Sequence, residues 1–125
     1  MKEFMFLIRN IGEQKDKMSP EEHKQFVQSC EVYIGNLKKE GKLIAAQPLV
    51  REGKIISGKS GNWKEETINA IDEVQVGYYH ILANDLDEAI AIAKGNPEFA
   101  FSSTARIEVR PIKMMEKTTG FVYPK

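Results

Sequence analysis

Chemistry in this chain has few places to reside: two histidines, His23 and His80, one cysteine, Cys30, and a run near the C-terminus in which charge alternates with apolar residues. His80 falls in Val76-Gly77-Tyr78-Tyr79-His80-Ile81-Leu82, where alternation sets it on the strand face shared by Val76, Tyr78 and Leu82. There it reads either as a partly buried histidine bonded to a backbone carbonyl or as a general base lining a cavity. His23 stands one turn before Phe26 and Val27, near a helix start. The positive end of a helix disfavours imidazolium, so a neutral base is physically accessible at that position; the plainer alternative is a first-turn polar residue half in solvent.

Cys30 sits in the middle of an apolar helical stripe with no adjacent base or basic pair to generate a thiolate, and so reads as a small inert hydrophobe. Two histidines and one cysteine so far apart give no zinc-ligand spacing. Gly58-Lys59-Ser60-Gly61 is too short for a Walker loop, and no Gly-x-Ser-x-Gly elbow occurs. No metal and no cofactor are expected. In the last strand Ala105, Ile107 and Val109 share one face, and Arg106, Glu108 and Arg110 the other. With the apolar set against helices, this charged ladder faces away from them. Arg9 and Tyr79, expected beside it on adjacent strands, would complete a polar cleft for a small anionic metabolite. The alternative is a solvated edge strand whose ion pairs contribute under about 1 kcal/mol.

Those residues need elements to position them. Phe4 to Ile8 is a short apolar run, read as a strand buried on both faces, and Asn10 to Met18 reads as a loop. Ser19-Pro20-Glu21-Glu22 signals a helix start, with Ser19 as cap, Pro20 in the first position and Glu22 completing a capping box. Phe26, Val27, Cys30, Tyr33, Ile34 and Leu37 form its one-sided stripe, and Lys38, Lys39 and Gly41 mark its end. Leu43 to Val50 reads as a strand, with Pro48 at an edge or bulge, followed by a turn at Glu52-Gly53-Lys54 and a return strand from Ile55 to Ser57. Ser57 to Lys64 reads as a loop, and Glu65 to Glu73 fits a short helix or irregular chain equally. Val74 to Leu82 is a strand. Asn84 or Asp85 caps a second helix with Leu86, Ala89, Ile90 and Ala93 inward, ended by Gly95-Asn96-Pro97. Thr104 to Ile112 is the last strand, and the tail from Lys113 is mixed.

The order β-α-β-β-β-α-β is that of an α+β protein: a ferredoxin-like sandwich with an added hairpin strand, two helices on one face of an antiparallel sheet. Strands Phe4–Ile8 and Val74–Leu82 are largely apolar on both faces, yet two helices cover only one. An uncovered apolar sheet is too large a patch for a monomer, which predicts a homodimer with sheets packed face to face.

The chain's 125 residues fit a single domain, 1–125, with 113–125 as its tail. Eighteen basic residues balance eighteen acidic ones, which argues against a nucleic-acid partner and against an anionic membrane surface. A lone cysteine suits a reducing compartment. Five apolar residues before Arg9 are too few for a signal-peptide core or a membrane span, so a cytoplasmic protein is expected.

From Lys2 to Ile112 the chain resembles the YCII-related family, especially its DGPF-type members. The residues that carry the likeness are Met18-Ser19-Pro20-Glu21-Glu22, Gly77-Tyr78-Tyr79 with Leu86-Asp87-Glu88-Ala89, and Ile107-Glu108-Val109-Arg110-Pro111-Ile112. The resemblance implies a dimeric α+β barrel with clefts beside the sheets, in a family whose biochemistry is largely unassigned. The family's Asp-Gly-Pro-Phe motif falls on Ser60-Gly61-Asn62-Trp63, which keeps the glycine and lacks the carboxylate. A first-helix histidine of other members, proposed as half of a histidine–carboxylate pair, falls on Cys30. Two functions of different class follow. One is a non-catalytic binding or sensing module, which the missing motif residues favour. The other is a small cofactor-independent enzyme on a compact polar or aromatic metabolite, with His80 or His23 as base and Arg110 as anion clamp.

Overall fold

The computed structural model describes residues 1–12, 18–69 and 71–124. Its elements run β1 (Lys2–Asn10), α1 (Pro20–Lys39), β2 (Leu43–Pro48), β3 (Lys54–Lys59), β4 (Asn62–Thr67), β5 (Val74–Ala83), α2 (Leu86–Lys94), a single turn α3 (Glu98–Phe101) and β6 (Arg106–Pro111). Four strands form one antiparallel sheet in the order β2-β5-β1-β6, and β3 and β4 pair separately. This is the ferredoxin-like α+β arrangement, with a hairpin inserted between its second and third strands. The loop expected from Asn10 to Met18 includes residues 13–17, which lie outside the described residues, as do Ala70 and Lys125. Among the described residues no helix is long and apolar enough to cross a membrane.

The two long helices are bounded by the chemistry of their ends. Ser19 Oγ accepts the Glu22 N–H at 3.1 Å, and Pro20 follows where a missing N–H costs nothing. At the other end of α1, Gly41 takes φ +69, so its N–H and that of Lys42 turn back to the Lys38 and Leu37 carbonyls. Asp85 caps α2 by accepting the Glu88 N–H at 2.8 Å. Of the inner face expected for α2, Ala89 and Ala93 are buried, whereas Leu86 stands exposed in the first turn.

Strand alternation then builds the core. Phe4, Phe6 and Ile8 of β1 and Tyr79, Ile81 and Ala83 of β5 point to the helix side and are buried with Leu37, Ala89 and Ala93. The alternate residues Met5, Leu7, Tyr78, His80 and Leu82 face the other way and are half-buried. Pro48 does close an edge strand, as its missing N–H requires. α1 lies unevenly on the sheet: Leu37 near its C-terminus is 5% exposed, while Val27 in its N-terminal half is 41% exposed. The helix is seated on the sheet at one end, and at the other it stands over a cleft, where Phe26 meets the Phe101 ring edge-on at 5.5 Å.

The middle of the chain differs from the reading of its sequence. Ile55–Ser57 does not return against β2; it belongs to β3 and pairs with β4, and Ser57–Lys64 is the heart of that hairpin rather than a loop. Residues 65–67 complete β4, and the described residues from Ile68 to Glu73 are irregular, the second of the two alternatives. Two glycines make the hairpin possible. Gly61 takes φ +85 in the turn between Lys59 and Asn62, and Gly58 takes φ +104, where a Cβ would run into the Asn62 carbonyl oxygen. The added element is therefore a whole hairpin, and every residue of its strands is exposed, which is why its alternation carries no buried side.

Leu37 is the clamp that seats α1. Leu37→Ala should cost about 2–5 kcal/mol in a denaturant titration. A loss below about half a kcal/mol would place the helical stripe against solvent instead.

Candidate functional site

The raised end of α1 leaves a cleft over the sheet, and small residues beneath it keep that cleft empty. Ala46 of β2 pairs with Tyr79, and Gly77 lies between Pro48 and Ile8. A Cβ on Gly77 would come within 3.1 Å of the Gln47 carbonyl oxygen, so a side chain there would need the neighbouring backbone to give by a few tenths of an ångström. Above this floor stand Phe26, Val27, Cys30 and Ile34 of α1, enclosing an inner chamber of about 310 Å³.

An outer chamber of about 370 Å³ continues from it, and His23, Phe26, Pro48, Val76 and Glu98 line both. Val76 reaches that shared wall because the register slips: Ile8 pairs with Gly77 and Arg9 with Gln75, leaving Val76 as the extra residue of a bulge. The outer chamber is the more polar of the two, but its polar groups are largely engaged. Asn10 Oδ1 accepts from Thr104 Oγ1 at 2.7 Å and from the Ile11 N–H at 2.9 Å, and Asn10 Nδ2 donates to Ser102 Oγ at 3.1 Å. The Arg51 guanidinium donates to the Ile11 carbonyl at 3.0 Å and to that of Asn10 at 3.4 Å. These bonds fasten the end of β1 to the segments on either side of the cleft.

The inner floor carries the group that stands out. Tyr79 is 7% exposed, held between the rings of Phe6 and Tyr33 at centroid distances of 6.2 and 5.6 Å. The Tyr33 hydroxyl donates to the Ile92 carbonyl at 2.6 Å. The Asn96 amide faces both tyrosine hydroxyls. Its Oδ1 accepts the Glu98 N–H at 2.9 Å, and its buried Nδ2 closes no hydrogen bond of ordinary length among the described residues.

Burial dominates the electrostatics here. It pushes the Tyr79 hydroxyl up to about 12, with the Cys30 and Glu98 charges adding to the rise and Asn96 opposing it. Burial also lifts Tyr33 well above the ordinary phenol range. Cys30 is pushed up to about 11, first by burial and then by the Glu98 carboxylate. Its thiol stays protonated at neutral pH, which removes it as a nucleophile.

The sequence-derived candidates divide between the two sides of the sheet. Tyr79 and His23 meet in the inner chamber, although His23 itself is exposed on α1. Tyr79 does not join Arg9 and the charged ladder; strand parity turns it to the helix side and gives the open face to Tyr78, beside Leu7 and Glu108. On that open face Arg9 and Arg106 are neighbours and both meet Glu73, at 3.3 and 3.0 Å, while Arg110 lies 3.5 Å from Glu108. His80 sits across Met5 from Arg110, two strands away and so about 10 Å distant. Its Nε2 is 2.7 Å from Glu3 Oε1, a carboxylate partner rather than a backbone carbonyl. Trp63, at the motif position, is on the exposed hairpin and lines neither chamber. Among the described residues no three His, Cys, Asp or Glu side chains group as a metal site would.

Sequence reasoning missed Gly77 and Ala46 as the makers of the cavity, and Asn96 and Glu98 as its polar margin. Asn96 was legible only as part of a helix stop.

The model of the YCII-related domain matches residues 3–114, and the chain belongs to that family. No curated protein matches it.

Cys30, buried Tyr79 and half-buried Tyr33 make this part of the fold sensitive to alkali. The unfolded chain releases these protons at lower pH than the folded one, so the stability they contribute is complete below about pH 9 and is lost as pH rises toward 11 to 12. Alkylation of Cys30 should keep accelerating about tenfold per pH unit up to pH 10 while circular dichroism shows the fold intact. A rate that levels off near pH 8 would contradict the protonated thiol.

Proposed function

We propose that this YCII-related domain is a small-molecule-binding module, of the DGPF type and acting in the cytoplasm, that uses the cleft between α1 and the sheet. The observation that carries the reading is the inner chamber, whose walls are mostly apolar and whose phenol and thiol, Tyr79 and Cys30, stay protonated, with Glu98 on the wall it shares with the outer chamber. Its size and lining suit a compact ligand, since small-molecule sites are mostly apolar with a few placed polar groups. Catalysis has less support. Cys30 is held as a thiol, and His80 is on the opposite face with Glu3. One observation favours the enzyme reading, namely that His23 and Glu98 flank both chambers.

A second copy is proposed to cover the open face of the sheet. Met5, Leu7, Tyr78 and Leu82 make an apolar band there, bordered by Arg106, Glu108 and Arg110. Light scattering at micromolar concentration should return about twice the 14.2 kDa chain mass, and a well-behaved monomer would sink the face-to-face dimer.

Ala46→Leu tests the cleft itself, because the larger side chain would occupy the floor beside Tyr79. A thermal-shift screen of small cyclic compounds should find stabilising ligands for the parent that fail on this variant. No hit, or hits unaffected by Ala46→Leu, would remove the cleft as the site. If phosphate or a small carboxylate stabilises the protein and Arg110→Ala cancels the effect, the ladder is the binding site instead.

A further inference from the structure

We infer that the inner chamber selects ligands bearing a neutral carbonyl oxygen (a ketone, ester or lactone) and that the Tyr79 hydroxyl is the donor that receives it. The inference rests on the cleft reading above and adds the chemical class of its ligand.

The residues around Tyr79 leave its proton as an uncommitted donor on the floor of the chamber. Tyr33 beside it has already given its hydroxyl proton to the Ile92 carbonyl. Asn96, 2% exposed, has its oxygen engaged by the Glu98 N–H, and its Nδ2 can serve only as a donor toward the tyrosine oxygens it faces. Tyr79 therefore has a donor behind it and no acceptor among the described residues, while its ring lines the cavity. The Tyr79 hydroxyl is not among the fully enclosed atoms, so its proton is accessible, and a ligand oxygen placed in so apolar a chamber can accept it with little competition from water.

Charge decides which oxygen fits. Burial and the Glu98 carboxylate already oppose a negative charge at Tyr79 and at Cys30. A carboxylate in the chamber would meet the same opposition, and His23, the lining residue able to carry positive charge, stands exposed on α1 rather than on the floor. A carbonyl accepts the hydrogen bond and brings no charge. Its apolar remainder lies against Phe26, Ile34, Ala46 and Val76.

Three probes of similar shape separate the possibilities: 1-indanone, indane and indane-1-carboxylate, titrated against the parent and Tyr79→Phe. The phenylalanine keeps the ring packing on Phe6 and Tyr33 and removes only the hydroxyl. Tyr79→Phe should weaken 1-indanone by roughly fivefold or more and leave indane within about twofold. Indane-1-carboxylate should bind the parent more weakly than the ketone. Equal weakening of ketone and hydrocarbon, or a carboxylate that binds as tightly as the ketone, would overturn the inference and leave the cleft as a site. Binding by none of the three would remove the cleft reading and the inference with it.

Discussion

The two-residue period of the central strand pair governs everything else in this molecule. β1 and β5 lie side by side in the middle of the sheet, and alternation sends Phe4, Phe6, Ile8, Tyr79, Ile81 and Ala83 into the helix layer. The same alternation commits Met5, Leu7, Tyr78, His80 and Leu82 to the opposite side. A single-residue slip would exchange the two sets, placing His80 in the core and Tyr79 beside the arginines. The fold therefore keeps its two candidate chemistries apart. A neutral polar group lies under α1, and a histidine–carboxylate pair and an arginine ladder lie on the open face.

Beneath α1 the packing is deliberately incomplete. Protein interiors leave few voids larger than a water molecule, so a chamber this size needs a local cause. The cause is the coincidence of Gly77 and Ala46 on adjacent strands with a helix that Leu37 seats on the sheet at its C-terminal end and that Phe26 holds against Phe101, beside the sheet, in its N-terminal half. The bulge at Val76 widens the mouth, and the bonds of Asn10 and Arg51 hold its rim. Function in this account comes from side chains that are small or missing as much as from those present.

Much of this was legible in the sequence. The Ser19-Pro20 helix start, the Gly41 stop, the Asp85 cap and the edge position of Pro48 follow from local backbone chemistry, and each occurs where it is expected. The hairpin from Lys54 to Thr67 was misread because none of its residues is buried, and a strand without a buried face shows no hydrophobic alternation. Leu86 was assigned inward by periodicity, yet its place in the first turn leaves it exposed. Site residues were harder still. His23 and Tyr79 could be named from residue type. That they share a chamber depends on how far α1 stands off the sheet, and no local pattern encodes that distance. The Tyr79 and Arg110 pairing failed on parity alone.

Amide mapping by heteronuclear NMR tests the central claim, that the helix-side chamber is where this protein meets its ligand. Titrating the labelled protein with 1-indanone should shift the backbone amides of Cys30, Ala46, Gly77 and Tyr79, which line the chamber, and leave those of Arg106, Glu108 and Arg110 in place. Shifts confined to β6 and the open face of the sheet, with the amides of Gly77 and Tyr79 unmoved, would contradict it.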